Sequence, residues 1–412
     1  MAAGFGPYRT VLSDPRARAF SLAGVVARLP MSMTGLSIVL LVSLESGSFG
    51  RAGLITACGT VSGAVTAPLW GRRIDRVGQA RVLIPAALIC NLSLIALVVA
   101  VLLELPLLVI LAAAVGAGLG FSSAGSCVRA RWSQRLSHDP LLNTAYAWEA
   151  VLDEVVFIVG PVLATFLATR IHPALGLISC VVLGLVGAFA LAGMRDSQPP
   201  LRPAGPLERA RTPLSAWVLA PIVIASASLG ALFGGMEVVV VAFAKEAGVL
   251  SSAGFIVMAW ATGSLIAGIL TGTLQWKVSP ARRFRVGAVL LACSVLPLPF
   301  AGSPLLVTGL LLLSGLAIAP TLIASVAVTQ AAVSQHRLTE ALSWTSMGLA
   351  AGVAAGAAGL GYVIDLSGAR AGFWGVVGIG VLLITAALCV QAPRRAEALA
   401  SGPEPSGEIR SR

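Results

Sequence analysis

Five ionisable side chains stand inside long apolar runs of this chain: Arg28, Glu149, Asp153, Glu154 and Glu237. A charged group is costly at membrane depth, and where one is found it marks an ion or substrate path. Arg28 lies about ten residues into the first run, roughly 15 Å deep at 1.5 Å per residue. Asp153 and Glu154 lie at a similar depth in the fifth run. An Arg28–Asp153 or Arg28–Glu154 ion pair is therefore expected. Glu149 and Asp153 are four residues apart and share a helix face, whereas Glu154 points about 100° away. Glu149, nearer the run's end, is expected to bond Arg129 or Arg135. Burial raises a carboxylate's pKa and a nearby cation lowers it. An arginine that moves would thus let one of these acids take up and release a proton. The plainer alternative is a static brace between the first and fifth runs. Glu237 follows Gly234-Gly235, has no basic neighbour in its run, and is expected to face a cavity or gate. Lys245 and Glu246, just beyond it, read as surface charges.

Other chemistries find no residues. His138, His172 and His336 lie in loops, no HExxH or GxSxG occurs, and neither lysine sits in a P-loop. The six cysteines lie in or at the ends of apolar runs without a CxxC pair, so they read as small hydrophobes. No enzyme, metal site or cofactor is expected.

The elements that must position these charges follow from composition. Of 412 residues, 57% are hydrophobic and 11% charged, against about a quarter charged in a soluble domain. Twelve apolar runs are read at 19–44, 51–70, 82–103, 106–128, 143–169, 174–194, 215–243, 251–276, 284–301, 304–329, 339–364 and 372–392. Each is close to the ~20 residues that span a bilayer as helix, and strand-like alternation is absent. The fold class is an all-α membrane protein of twelve transmembrane helices. The first run is read as a retained helix and not a cleaved signal.

Residues 195–214 carry four arginines, together with Pro199-Pro200, Pro203 and Pro206. They read as a linker between six-helix halves, 1–194 and 215–392, with a disordered tail from 393 to 412. With the N-terminus inside, 23 of the 28 Lys and Arg fall in inside segments and four in outside loops, so both termini are expected in the cytoplasm. The net charge of +11 is spread through short loops, which argues against nucleic acid as a partner. The 26 arginines and the Ala, Gly and Val content suggest a GC-rich bacterial genome, hence the plasma (inner) membrane. A monomer in the lipid bilayer is expected.

The halves repeat. Asn143–Trp148 aligns with Thr339–Trp344 at an offset of 196, which also brings Gly160 onto Gly356; Arg51–Ile55 aligns with Ser252–Ile256 at an offset of 201. Between the second and third runs lies Gly71-Arg72-Arg73-Ile74-Asp75-Arg76-Val77-Gly78-Gln79-Ala80-Arg81. Physically, Gly71 is expected to end a helix, Gly78 to permit a turn, and the arginines to hold the loop at an anionic surface. Asp75 is free to pair with Arg129 or Arg131, or to face the N-terminus of the eleventh run.

This loop, the twelve runs and the central linker together resemble the major facilitator superfamily, whose loop pattern is G-x-x-x-D-R/K-x-G-R/K-R/K. Gly71, Asp75, Arg76 and Gly78 match in place; Gln79 and Ala80 depart, and Arg81 supplies the charge one position late. The resemblance implies two pseudo-symmetric six-helix bundles, with Asp75 latching the halves together in the outward-facing state. The second half's counterpart, Gly272–Lys277, lacks the acid. Gly160-Pro161 partly matches the motif of antiporting efflux members, with Val156 and Ala164 where glycine is expected. Gly160-Pro161 is expected to bend the fifth helix, and Gly348, Gly352 and Gly356 to form a small-residue packing face. Trp148, Trp260, Trp344 and Phe121 read as interfacial anchors or path-lining aromatics. The resemblance implies a secondary transporter that exports a small organic compound in exchange for protons. Proton-coupled uptake of a metabolite or sugar is the alternative, and a non-transporting receptor or scaffold the rival from another class.

Overall fold

A computed structural model of the chain describes residues 6–121, 124–136, 141–200, 216–273, 278–333 and 338–390. The expected tail lies outside them, as does the linker from residue 201 to 215. The described residues form fourteen helices: α1 (Gly6–Val11), α2 (Pro15–Glu45), α3 (Phe49–Val77), α4 (Gln79–Leu102), α5 (Leu107–Leu119), α6 (Ala124–Arg135), α7 (Leu142–Arg170), α8 (Leu175–Gly193), α9 (Ala216–Glu246), α10 (Ala253–Thr273), α11 (Pro280–Val295), α12 (Pro304–Gly315), α13 (Ile318–Ala332) and α14 (Leu338–Cys389). Ordinary rules set their ends. Asp14 caps α2 by accepting from the Arg16 N–H, with Pro15 as first helical residue. Ser48 does the same for α3 through the Arg51 N–H.

Eleven stretches among the described residues are long and apolar enough to cross a bilayer. The last holds 50 residues and breaks at Gly368, where φ is 79° and ψ 176°. It folds into two crossings, so the molecule is an all-α membrane protein of twelve crossings in two six-helix bundles. The fourth crossing is α5 plus α6 and the tenth is α12 plus α13; each breaks about midway, at equivalent points of the repeat. A glycine stands at each break. Gly120 lies against the Cys90 backbone and Gly315 against the Trp260 carbonyl, approaches that leave no room for a Cβ.

Helix limits correct the expected helix end at Gly71 and agree with the turn expected at Gly78. The second crossing does not stop at Gly71: α3 runs to Val77, and an added Cβ on Gly71 meets nothing within 4 Å. The turn is made by Gly78 alone, at φ 92°, where α3 ends and α4 begins. Arg129, Arg131 and Arg135 sit on helix α6, which extends beyond the apolar run.

The two bundles meet along matching seams. Gly53 of α3 rests on the Ala357 carbonyl of α14, and Gly254 of α10 rests on the Pro161 carbonyl of α7. Gly53 and Gly254 are repeat mates at an offset of 201, and Pro161 and Ala357 are mates at 196. The pseudo-symmetry thus extends to which backbones touch. Gly160 packs on Ser32 of α2, while Gly348, Gly352 and Gly356 lie against the Val223, Ala227 and Ala231 backbone of α9. Small residues let these backbones approach, the usual means of helix association in lipid.

Candidate functional site

One ion-pair network links α2, α6 and α7 within the first bundle. Arg28 is 4% exposed. Its Nη2 donates to Glu149 Oε2 at 2.6 Å, its Nη1 to Asp153 Oδ1 at 2.7 Å, and its Nε to the Gly24 carbonyl at 3.0 Å. Glu149 is wholly enclosed. Its other oxygen accepts from Ser21 Oγ at 2.6 Å and from Trp132 Nε1 at 2.9 Å, and Trp148 Nε1 donates to the same Ser21 hydroxyl at 3.2 Å. Asp153 differs. It is 28% exposed, and its second oxygen accepts from Arg129 Nη2 at 2.5 Å.

The geometry revises the sequence expectations in detail. Arg28 does meet Asp153, but Glu149 is its second partner and Glu154 is not. Glu154 is half-buried and, among the described residues, makes no hydrogen bond or ion pair. The i, i+4 spacing explains this: Glu149 and Asp153 present one face of α7 to Arg28, and Glu154 is rotated off it. Glu149 does not bond Arg129 or Arg135. Arg129 belongs to Asp153, and Arg135 pairs with Asp14 at the start of α2. The chemistry is divided as a result. Glu149 is an anion held by three donors away from water. Asp153 is shared by two arginines and open to water on one side, so both of those ion pairs depend on a single carboxylate.

Glu237 lies on the second bundle, about nine residues from the end of α9. Its Oε2 would stand 3.0 Å from a Cβ at Gly35 of α2, so the carboxylate crosses to the other bundle where the two meet. Among the described residues it has no hydrogen bond or ion pair. One turn earlier on α9, Phe233 packs edge-on against Trp260 at 5.5 Å.

The basic stretch around the α3–α4 turn carries Arg72, Arg73, Asp75, Arg76 and Arg81, all exposed. Asp75 pairs with neither Arg129 nor Arg131, and among the described residues it makes no hydrogen bond or ion pair at all. Arg131 is fully buried and satisfied elsewhere. It donates to Gln79 Oε1, Ser197 Oγ and the Leu191 and Met194 carbonyls, tying α6 to α4 and to the end of α8. The arginines of α6 are thus paired inside their own bundle.

At the opposite end the bundles bond to each other. Asp365 of α14 accepts from Ser48 Oγ at 2.6 Å, the Phe49 N–H at 2.7 Å and the Gly50 N–H at 2.8 Å, so a carboxylate of one bundle caps a helix of the other. Lys245 Nζ donates to the Ser43 carbonyl at 2.8 Å and lies 5.4 Å from the Phe49 ring. Glu246 accepts from the Ala369 N–H at 2.8 Å, just past the Gly368 break. Lys245 and Glu246 are exposed, as expected of surface charges; Lys245 also bonds across the bundles, and Glu246 holds α9 to α14 within the second. Sequence reasoning misses Asp365. Its one signal there is a carboxylate in the last turn before Gly368.

Two bundles of apolar crossings bonded to each other at one end, with a buried ion-pair network inside the first, are the architecture of a membrane transporter. The sequence matches the Major Facilitator Superfamily over residues 20–317 and again over 250–411, and the chain belongs to that family. No curated protein matches it in sequence. Solved structures do match in fold. A point mutant of the nucleoside transporter NupG superposes with a TM-score of 0.74 at 11% identity, covering 91% of this chain and 99% of that one. A point mutant of the peptide transporter POT, in complex with sulfate, gives 0.67 at 14%, covering 91% and 94%. A bacterial homologue of the human lysosomal transporter Spinster, in an inward-facing and occupied conformation, gives 0.66 at 14%, covering 93% and 96%.

Proposed function

We propose that the chain exports a small organic compound across the plasma membrane by alternating access, in exchange for protons. The observation that carries the proton-coupled reading is Asp153: at mid-depth, partly open to water, and bracketed by Arg28 and Arg129. Protonation would release Arg129 and one of the two carboxylate contacts of Arg28, loosening α6 from α7 while Arg28 stays on Glu149, and so bias the packing of the first bundle. Glu149 serves as the fixed anchor of that network. Glu237, lying between the bundles without a donor, is the second carboxylate in reach of substrate or proton. The excess of Lys and Arg in alternate loops supports placing the basic loop and both termini in the cytoplasm. The end fastened by Asp365 and Lys245 then faces outward, and an exported compound loads from the cytoplasmic side. The placement of Gly160-Pro161 against both Ser32 and Gly254 supports close packing where the fifth crossing meets its partners. Asp75, without a partner here, fits a latch that engages only when the cytoplasmic end closes.

The test is substrate flux in proteoliposomes under an imposed pH gradient, screened over a compound panel. Asp153→Asn should bind substrate yet lose acceleration by the gradient. Full gradient-driven flux in that variant would remove Asp153 as the proton carrier. A gradient that drives uptake and not release would reverse the direction.

A further inference from the structure

A cleft of about 800 Å³ runs along the seam of α7 and α10, inside the two membrane-crossing segments. That volume is within the roughly 300–1,000 Å³ range of ligand pockets. Val159, Val162 and Phe166 of α7 and Phe255 of α10 form apolar walls, and the polar lining is confined to one end, at Arg170, Ser251 and Ser252. The walls are open sideways: Val159 is 45%, Phe166 54% and Phe255 52% exposed. Beside the cleft, Gly254 sits directly on the Pro161 carbonyl, so the groove belongs to both bundles at once.

We infer that this seam is a binding site for one membrane phospholipid, with an acyl chain between α7 and α10 and the phosphate on Arg170. Length argues for it. Val159 and Arg170 are separated by about 17 Å of helix, and one leaflet's hydrocarbon is about half of 30 Å. The apolar groove covers one leaflet, and its cation stands at headgroup level. Charge argues for it as well. Arg170 gives one N–H to Ser251 Oγ at 3.3 Å and, among the described residues, meets no carboxylate. Most of its N–H donors remain for an anion, and a guanidinium is suited to phosphate. A lipid seated across both bundles binds only while α7 and α10 lie together, so it favours the conformer closed at this end.

The experiment is native mass spectrometry of the purified chain, released from micelles containing phosphatidylglycerol or phosphatidylcholine, alongside thermal-stability curves. One retained phospholipid is expected. Arg170→Gln should cut the retained fraction at least threefold, and Val159→Trp, which fills the groove from an exposed position, should do the same. Val182→Trp, on an exposed face of α8, should leave retention unchanged. Stronger retention of phosphatidylglycerol would show that the headgroup's net charge adds to the phosphate contact, in keeping with the site. Equal retention in wild type, Arg170→Gln and Val159→Trp would overturn it. Inorganic phosphate stabilising the chain as much as lipid does would overturn it too, by showing a free-anion site. Loss caused equally by Val182→Trp would mean general annular lipid and no site. Size-exclusion profiles check that each variant is folded.

Discussion

Replacing Arg28 by Met separates the roles of its two carboxylate partners. Glu149 is wholly enclosed, and without Arg28 its charge keeps only the Ser21 and Trp132 donors. Breaking a buried ion pair from one side costs about 3–5 kcal/mol. Asp153 loses less, because it is 28% exposed and keeps Arg129; a pair of that exposure contributes at most about 1 kcal/mol. Adding Glu149→Gln to Arg28→Met should therefore recover most of the loss, since removing both charges of a buried pair is often close to neutral. Adding Asp153→Asn should recover about 1 kcal/mol or less. The difference of roughly 2–3 kcal/mol corresponds to about a 30- to 150-fold difference in the unfolding equilibrium. Reversible unfolding by sodium dodecyl sulphate in mixed micelles, followed by helical circular dichroism, measures it. If Asp153→Asn rescued as well as Glu149→Gln did, the division between an enclosed carboxylate and a water-exposed one would be wrong.

Three further outcomes follow from the same geometry. Gly78→Ala should destabilise by about 1–2 kcal/mol, because φ 92° is unfavourable for a side chain; Gly71→Ala should stabilise by up to about 1 kcal/mol, since a helix-interior glycine with open space around it gains from alanine. The unfolding assay above reads both, and equal losses at the two glycines would contradict the placement of the turn. Asp365→Ala removes a helix cap worth about 1–2 kcal/mol and should move the population about 5- to 30-fold towards the conformer open at that end. Spin labels on the ends of α3 and α14 should then show a longer distance, and an unchanged distribution would deny Asp365 a fastening role. Gly254→Val should part the α7–α10 seam, because even a Cβ collides with the Pro161 carbonyl, and unaltered cross-linking between the two helices would refute that.

The class of protein is legible in residues alone. Runs of about twenty apolar residues leave the backbone no option in lipid but helix, and the repeat offsets of 196 and 201 already pair the positions that form the seams at Gly53 and Gly254. Arg28 and the acids of the fifth crossing are legible too, because an ionisable group in an apolar run is conspicuous wherever it ends up. What sequence cannot assign is partnership. Choosing among Glu149, Asp153 and Glu154 depends on how α7 is rotated about its axis towards α2, and that rotation is set by packing of Gly160 on Ser32 and by the Trp132 and Ser21 donors. Arg131 and Asp75 differ for the same reason: both belong to the charged end of the first bundle, yet one is buried among carbonyls and the other stands in solvent. Asp365 is invisible in the sequence because its donors, two of the three of them backbone N–H groups, lie more than 300 residues away. Backbone donors look the same in every sequence, and only the docking of two bundles makes one of them a partner. Hydrophobic periodicity is a local property of the chain; the pairing of charges across helices is a property of the assembled surfaces.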